Sequence, residues 1–183
     1  MVIIMFGAPG VGKGTQSKLM SEKLGIPHLS TGEKFREEIK NKTEYGLIAK
    51  EYIEKGELVP DDITIQFVKE ILSEPEYKRG CIFDGFPRTI EQAENLKYML
   101  MKIGKDIHKA INLTADEDTI MERLLSRGRK DDTEEVIKER LKVYKDNTEP
   151  LIKFYDNQDL LLTIQSDGDE SDVNDKIFQK LSF

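Results

Sequence analysis

The sequence predicts an α/β fold in which five parallel strands form the middle layer of a three-layer α/β/α sandwich. Short apolar runs alternate with helical patterns along all 183 residues, and no repeat or low-complexity tract interrupts them. Each run is almost wholly apolar, which is typical of strands that are buried on both faces of a sheet. The length suits a single domain with a sizeable core.

The first predicted strand, residues 2–6, leads directly into a glycine-rich loop, Gly7-Ala8-Pro9-Gly10-Val11-Gly12-Lys13-Gly14-Thr15. Its four glycines leave backbone N–H groups uncovered, and the helix predicted after them adds free N–H groups and the positive end of its dipole. Together with the ammonium group of Lys13, these groups predict a concave site for the phosphates of a nucleotide. The alternatives are a turn that only joins strand to helix, and a dinucleotide fingerprint, whose third glycine is missing.

The loop departs at one position from the generic phosphate-loop pattern, Gly-x-x-x-x-Gly-Lys-Ser/Thr. Position 14 is glycine, and the hydroxyl comes one residue later, at Thr15. The side chain that usually contacts magnesium is therefore missing from its usual place. We infer that phosphate oxygens and water supply most of the ligands of a metal ion bound here.

The elements after the first helix alternate in the same way. A brief strand at residues 28–30 precedes a helix that Ser30 or Thr31 can cap, and Glu33 is placed to complete a capping box. His28 is interpreted as a packed side chain, with a ligand role as the alternative. Further strands are predicted at residues 80–84, 109–113 and 160–164, and further helices at residues 44–55, 61–73, 89–101, from 115, from 131 and around 173–181.

Three features fall at the carboxyl ends of predicted strands: the glycine-rich loop, Asp84 and Thr114, the last of which is also expected to cap the helix after it. Ligands of parallel α/β sheets bind at that edge, so the site is predicted there. A carboxylate beside a phosphate loop is well placed to hold magnesium, directly or through water. A helix cap or another structural role is the alternative for Asp84.

Composition limits the class of partner. A net charge of −7 argues against a nucleic acid bound through its phosphates. The apolar runs fall far short of the roughly 20 residues that a spanning helix needs, and the first of them lacks a preceding basic region, so neither a membrane span nor a signal peptide is expected. The single cysteine, Cys81, excludes an internal disulfide and agrees with a reducing compartment, so we expect a cytoplasmic protein.

Arginines concentrate in one part of this acidic chain, at positions 123, 127, 129 and 140. Such a group is typical of a site for a small, highly charged anion. Arg140 shares a helical stripe with Val136 and Val143 and should be partly buried, where a guanidinium is costly unless an anion meets it. The alternative is a surface ion pair with Asp132 or a similar carboxylate.

Two segments, residues 7–16 and Asp84-Gly85-Phe86-Pro87-Arg88-Thr89, resemble the adenylate kinase family of nucleoside monophosphate kinases, and the similarity extends over nearly the whole chain. The resemblance implies a monomer that reversibly transfers a phosphoryl group from Mg²⁺-bound ATP to AMP, giving two ADP. Thr31 and Gln92 favour adenine in this resemblance, because pyrimidine-specific relatives tend to have alanine and asparagine there. A UMP/CMP kinase of the same architecture is the alternative, and a nucleotide-binding regulatory protein without turnover is a third reading.

The resemblance also implies a role for individual residues. ATP contacts are implied for Gly10, Val11, Gly12, Lys13, Gly14, Thr15, Arg123, Arg127 and Gly168. AMP contacts are implied for Thr31, Arg36, Glu57, Leu58, Val59, Gly85, Phe86, Pro87, Arg88, Gln92, Arg129 and Arg140. The groups implied to stabilise the transferred phosphoryl are Lys13, Arg88, Arg127, Arg129 and Arg140. Asp84 would hold Mg²⁺, through water.

The same resemblance divides the chain into three parts. The core is expected at residues 1–29, 60–126 and 133–183, a helical monophosphate-binding insertion at 30–59, and a short lid at 127–132. Many bacterial members carry a few dozen residues between two lid arginines, sometimes with zinc-binding cysteines. Here Arg127-Gly128-Arg129 leaves almost nothing between them, so we predict a minimal lid, no zinc and a less completely shielded site.

Overall fold

The computed structural model describes residues 1–129 and 132–181. Within them, five parallel strands form one sheet in the order β2-β3-β1-β4-β5. The strands are β1 (Val2–Phe6), β2 (His28–Ser30), β3 (Cys81–Asp84), β4 (Lys109–Thr114) and β5 (Leu161–Gln165). The predicted parallel sheet is confirmed, and each strand lies within one residue of its predicted bounds.

Helices connect these strands and cover the sheet. In the described residues they are α1 (Lys13–Leu24), α2 (Thr31–Asn41), α3 (Glu44–Ile53), α4 (Asp61–Leu72), α5 (Ile90–Lys102), α6 (Glu117–Arg127), α7 (Glu134–Val143), α8 (Pro150–Asp156) and α9 (Glu170–Leu181). A short 3₁₀ helix, Pro75–Arg79, follows α4, and a π-helical turn, Tyr144–Thr148, joins α7 to α8. The sequence reading predicted neither of these two short elements.

Alternate side chains of β1 fill the two faces of the sheet. Ile4 and Phe6 belong to the apolar cluster on one face, and Ile3 and Met5 belong to the cluster on the other. All four are at most 2% exposed, so both faces of the central strand are covered. Because each such side chain stabilises the fold by roughly 1.5–3 kcal/mol, the glycine-rich loop begins at one of the most firmly held points of the chain.

Helix α2 begins as predicted. The Ser30 hydroxyl accepts a hydrogen bond from the backbone N–H of Glu33 at 3.4 Å, so Ser30 is the N-cap residue. Because Ser30 is also the last residue of β2, the first turn of α2 lies at the carboxyl edge of the sheet. That turn contains Thr31, one of the residues expected to contact AMP.

The expected cap of α6 is wrong. Thr114 is the last residue of β4, where it pairs with Gln165 of β5, and Asp116 is the N-cap residue. The Thr114 carbonyl accepts hydrogen bonds from the backbone N–H and the hydroxyl of Ser166, at 2.7 and 3.0 Å. These bonds hold Thr114 in the sheet, so the helix begins later than predicted.

The division into a core, a monophosphate-binding insertion and a lid stays a prediction. Two of the lid residues, 130 and 131, lie outside the described residues, as do core residues 182 and 183. The helix predicted to open near residue 131 begins at Glu134, where the Thr133 hydroxyl accepts a hydrogen bond from Val136 N–H.

Candidate active site

One cavity of about 550 Å³ opens at the carboxyl edge of the sheet. Its wall is built from the glycine-rich loop, the first turn of α2, the segment after β3, helices α6 and α7, and the loop after β5. This volume falls within the range of roughly 300–1,000 Å³ that is usual for ligand pockets. The sheet thus brings segments from the whole length of the chain to one site.

The glycine-rich loop wraps around the ammonium group of Lys13. Gly12, the N-cap residue of α1, has φ = 100°, a left-handed conformation that side-chain-bearing residues rarely adopt. Lys13 Nζ donates hydrogen bonds to the carbonyls of Gly7 at 2.7 Å and Ala8 at 2.9 Å. Burial lowers the pKa of Lys13 to about 8, although Asp84 acts in the opposite direction. The nearby positive charges of Arg88 and Arg127 also contribute to the lower pKa.

Asp84 lies at the end of β3, directly beside the start of α1. A Cβ atom placed on Gly14 would lie 3.5 Å from Asp84 Oδ2, so the carboxylate stands next to the position where the generic loop carries serine or threonine. His28 Nε2 lies 3.4 Å from the same oxygen, a long contact for a hydrogen bond. Burial raises the pKa of Asp84, but His28 and the charges of Lys13 and Arg88 outweigh this effect and hold the pKa below its ordinary value.

Both the side chain and the backbone of Arg88 form hydrogen bonds that hold it in place. Its Nε donates to the Gly85 carbonyl at 2.8 Å, and its carbonyl accepts from the Thr148 hydroxyl at 3.0 Å. The π-helical turn that presents Thr148 is a feature often found at functional sites. Burial lowers the pKa of the Arg88 guanidinium, and Asp84 opposes that shift. The guanidinium nevertheless remains a cation at neutral pH.

Asp132 joins the arginines of α6 and α7. Its carboxylate accepts from Arg127 Nε and Nη2 at 2.9 and 2.7 Å, from Arg140 Nη1 at 2.9 Å, and from the backbone N–H of Arg129 at 3.3 Å. The Asp132 side chain is only 1% exposed. Burial raises its pKa, but Arg127 and Arg140 outweigh burial and keep the pKa below its usual value.

The ion pair considered as the alternative for Arg140 is therefore present, but it is not a surface pair. Arg140 both pairs with the buried Asp132 and lines the cavity. The buried carboxylate thus keeps two guanidinium groups close together beside the site. This arrangement suits a ligand that carries several negative charges.

At the far side of the loop, Arg123 connects two backbone segments. Its guanidinium donates to the carbonyl of Ser166 at 3.2 Å and lies 3.5 Å from that of Val11. The Ser166 hydroxyl also donates to the Val11 carbonyl, at 2.9 Å. These bonds fix the loop after β5, which contains Gly168, against the glycine-rich loop.

The cavity wall contains nearly every residue that the sequence reading placed in a site. These are Gly10, Val11, Gly12, Lys13, Gly14, Thr15, Thr31, Arg36, Glu57, Leu58, Val59, Asp84, Gly85, Pro87, Arg88, Gln92, Arg123, Arg127, Arg129, Arg140 and Gly168. Phe86 differs, because it is fully buried in the core, where its ring packs near that of Phe83 with 6.1 Å between centroids.

Several residues at the site were not anticipated. Gln16, Thr64, Tyr144, Thr148 and Ser166 line the cavity, while His28 and Asp132 hold groups that line it. His28 is a packed residue, as interpreted, but its partner is the carboxylate at the centre of the site. Most of these contacts join elements that lie far apart along the chain, so the sequence contains no local signal for them. Asp132 is the exception: it lies five residues from Arg127 and eight from Arg140, and it was considered only as a surface partner.

In residues 1–129 and 132–181, the histidine, cysteine, aspartate and glutamate side chains form no group of three or more that could hold a metal ion. No helix in this part of the chain combines the length and the apolar character needed to cross a membrane.

A parallel sheet with a glycine-rich phosphate loop at the end of its central strand, opening into a cavity rich in arginine, defines a P-loop nucleotide-binding protein. A sequence model of the family described as adenylate kinase matches residues 5–160. Since this match covers most of its length, the chain belongs to the adenylate kinase family.

Individual relatives agree over almost the full length. The chain is 45% identical to an adenylate kinase of Corynebacterium glutamicum (strain R) over 181 residues, which is 99% of each protein. It is 48% identical to an adenylate kinase of Corynebacterium diphtheriae over 174 residues, 95% of each. It is also 45% identical to adenylate kinase 1 of Nostoc sp. over 175 residues, 96% of this chain and 95% of the relative.

Proposed function

We propose that this cavity carries out the reaction of an adenylate kinase, ATP + AMP ⇌ 2 ADP. The main support for this proposal is that one cavity is lined by different groups of residues on its two sides. Gly168 follows β5 at one edge of the sheet, and Thr31 follows β2 at the opposite edge, with the phosphate loop after the central strand β1 between them. All of these residues line the cavity, as does Gln92. Cationic side chains stand between them, as expected where two polyphosphates must face each other.

In this proposal the phosphate loop binds the phosphates of ATP, and Arg123 and Gly168 flank its base. AMP occupies the end formed by α2, the segment 57–59 and the start of α5. The groups proposed to contact the transferred phosphoryl are Lys13, Arg88, Arg127, Arg129 and Arg140. The contacts of Arg88 with Gly85 and of Arg127 with Asp132 support these roles, because they hold the guanidinium groups at the cavity before a nucleotide arrives.

Phosphoryl transfer depends mainly on in-line positioning and on stabilising the charge that spreads over the moving oxygens. AMP presents a phosphate oxygen as the nucleophile, so the reaction needs no general base with a shifted pKa. Arginine suits the stabilising role because its planar fork meets two phosphate oxygens at once. Closure of residues 30–59 and of the short lid over the nucleotides would exclude water.

The donor set also fits a magnesium ion bound with ATP. Asp84 lies beside Gly14, where the generic loop would supply a hydroxyl, and its pKa is held below the ordinary value, so it is a carboxylate at neutral pH. We propose that Asp84 holds Mg²⁺ through water, with phosphate oxygens as the other ligands. The ion would supply positive charge to the β- and γ-phosphates.

A coupled assay for ADP formation tests the proposed function. ADP should form rapidly with ATP plus AMP, and far more slowly with ATP alone or with ATP plus CMP or UMP. The positions of Thr31 and Gln92 in the cavity support adenine as the acceptor base. A preference for CMP or UMP would instead identify the pyrimidine kinase, and tight ATP binding without any turnover would identify a regulatory protein.

Replacing Asp132 with asparagine tests the buried arginine cluster. The asparagine keeps the shape but removes the charge between Arg127 and Arg140, so we expect kcat to fall about 10- to 100-fold and the free energy of unfolding to fall by about 3 kcal/mol. Steady-state kinetics and urea unfolding measure the two effects. The matched control is Glu134→Gln, which breaks an exposed pair with Lys138 and should leave both kcat and the free energy of unfolding nearly unchanged. A D132N variant indistinguishable from this control would contradict the role of the cluster.

The pKa of Lys13 predicts a pH effect on ATP binding. In the free chain this pKa is lowered to about 8, and the triphosphate of ATP should raise it, because a nearby opposite charge favours the protonated form. Near pH 9 the complex should therefore hold close to one proton more than the free chain, and ATP affinity should fall as pH rises above about 8.

Calorimetric titration of ATP near pH 9, in two buffers with different ionisation enthalpies, measures this proton uptake. Lys13→Arg is the control, since its guanidinium stays protonated and its uptake should be close to zero. Equal uptake by both proteins would assign the proton to another group.

We further propose that the protein acts as a monomer in the cytoplasm, with residues 30–59 as the monophosphate-binding segment. The presence of a single cysteine, Cys81, which allows no internal disulfide, supports a reducing compartment.

A further inference from the structure

A chain of hydrogen bonds fixes the side chain of Gln92 at the AMP end of the cavity. Gln92 Nε2 donates to Asp61 Oδ1 at 2.6 Å, and Gln92 Oε1 accepts from the backbone N–H of Arg88 at 2.7 Å. The Thr89 hydroxyl donates to the other oxygen of Asp61, also at 2.6 Å, and accepts from the backbone N–H of Gln92 at 3.2 Å. Gln92 itself is only 2% exposed.

These partners permit a single orientation of the Gln92 amide. A carboxylate accepts hydrogen bonds and a backbone N–H donates them, so the amide nitrogen must face Asp61 and the amide oxygen must face Arg88. A flipped amide would place its oxygen against the carboxylate and its nitrogen against an N–H group. Both pairs would then be repulsive in a buried position, where an unpaired polar group is costly.

The fixed amide has a defined hydrogen-bonding polarity towards a ligand. A carboxamide has two hydrogens and two oxygen lone pairs, and Asp61 and Arg88 use one of each. Among the described residues the Gln92 side chain makes no other hydrogen bond, which leaves one N–H on the amide nitrogen and one lone pair on the amide oxygen. Adenine offers the complementary pair, an acceptor at N1 and a donor at the 6-amino group.

Hypoxanthine is the base that this polarity should reject. It has almost the same shape as adenine, but N1 carries a hydrogen and position 6 carries an oxygen, so the donor and the acceptor are exchanged. A base held by its ribose and phosphate cannot turn over to restore the match. Only a flip of the Gln92 amide could do so, and Asp61 and the backbone N–H of Arg88 both oppose that flip.

We propose that Asp61 is a positioning residue that makes the acceptor site select adenine over 6-oxopurines, by fixing the polarity of the Gln92 amide. This inference rests on the proposed function, since it concerns the site assigned to AMP. A purely structural role for Asp61, as a tie between α4 and α5, would lower activity with AMP and IMP by the same factor. The ratio of the two activities therefore separates the two roles.

The test compares kcat/KM for AMP and for IMP in the wild-type chain and in Asp61→Asn. The wild-type chain should prefer AMP by about 10³-fold or more, because a site built for hydrogen bonds rejects a mismatched ligand strongly. Asparagine can donate as well as accept, so it removes the repulsion at position 61 and leaves only the backbone N–H of Arg88 to oppose the flipped amide. The preference should therefore fall about 10-fold. The matched control is Asp62→Asn, an exposed neighbour on the same helix, which should keep the wild-type ratio. A folded D61N variant with the wild-type ratio would overturn the proposal.

A second pair of variants serves if D61N does not fold. Thr89→Val removes the hydroxyl that holds Asp61 Oδ2, and should lower the AMP/IMP ratio by about 3- to 10-fold, whereas Thr89→Ser keeps the hydroxyl and should keep the ratio. Equal ratios in both variants would contradict the proposal.

Dissociation constants for AMP and IMP, measured by calorimetry on the same proteins, make this test independent of turnover. If the wild-type chain formed no ADP from AMP, the proposed function would fail. A change in the ratio of dissociation constants would still support the role of Asp61, and an unchanged ratio would still refute it.

Discussion

Replacing Lys13 with methionine is expected to lower kcat for ADP formation by about 10³-fold and to leave the fold intact. The ammonium group lies inside the phosphate loop, 2.7 Å from the Gly7 carbonyl, and we propose that it moves to the phosphates of ATP when they enter. Removal of one such charge from a preorganised phosphoryl-transfer site typically costs 10²- to 10³-fold or more.

Stability should change little in this variant. Methionine removes the hydrogen bonds from Lys13 to the carbonyls of Gly7 and Ala8, but it also removes a buried charge whose pKa is lowered in the free chain, so the two effects oppose each other. Thermal unfolding and steady-state kinetics measure the two quantities. Lys23→Met is the matched control on the same helix, because Lys23 forms an exposed pair with Asp175, and it should change kcat by less than about twofold. A K13M variant that kept more than a tenth of the wild-type kcat would refute the role given to the loop.

Replacing Arg88 with lysine is expected to lower kcat/KM for AMP by about 10²- to 10³-fold. The Arg88 guanidinium is held by its bond to the Gly85 carbonyl, and the Arg88 backbone is held by Thr148 of the π-helical turn. Lysine keeps the charge but loses the planar fork that can bond the Gly85 carbonyl and two phosphate oxygens together. We therefore expect kcat/KM for AMP to fall even though the positive charge is kept.

Arg79→Lys is the control for this substitution. Arg79 is exposed at the end of the 3₁₀ helix, and its exchange should leave kcat/KM within about twofold of the wild-type value. The two variants should have similar melting temperatures. An R88K variant with kcat/KM for AMP within threefold of wild type would show that Arg88 does not contact the acceptor phosphate.

Features that depend on neighbours along the chain could be predicted from the sequence. The strand of residues 2–6, its glycine-rich loop and the cap of α2 by Ser30 each depend on a few consecutive residues, and the structure contains all three. The position of Asp84 at the carboxyl edge also followed, because an apolar run ends directly before it.

Features that depend on pairing between distant segments could not be predicted. Thr114 was expected to cap a helix, but its pairing with Gln165 and its bonds to Ser166 extend the strand instead. His28 meets Asp84 only because β2 and β3 pair in parallel, which places Ser30 beside Asp84. No pattern of neighbouring residues predicts the register in which β2 and β3 pair.

The contacts within the site could also be predicted only in part. The arginines were recognised as a group, but the carboxylate that joins Arg127 to Arg140 was considered only as a surface partner. Likewise, Asp61 was read as the start of a helix, and its bond to Gln92 depends on how α4 and α5 pack. Side chains that position other side chains give no sequence signal of their own.

We propose that one cavity holds two nucleotides whose phosphates face each other across fixed cationic groups. Calorimetric titration with diadenosine pentaphosphate, a molecule that joins two adenosines through five phosphates, tests it most directly. We expect one molecule to bind per chain, to displace both ATP and AMP, and to bind more weakly to the K13M and R88K variants. Binding of two molecules per chain, or of AMP with unchanged affinity to the saturated chain, would contradict it.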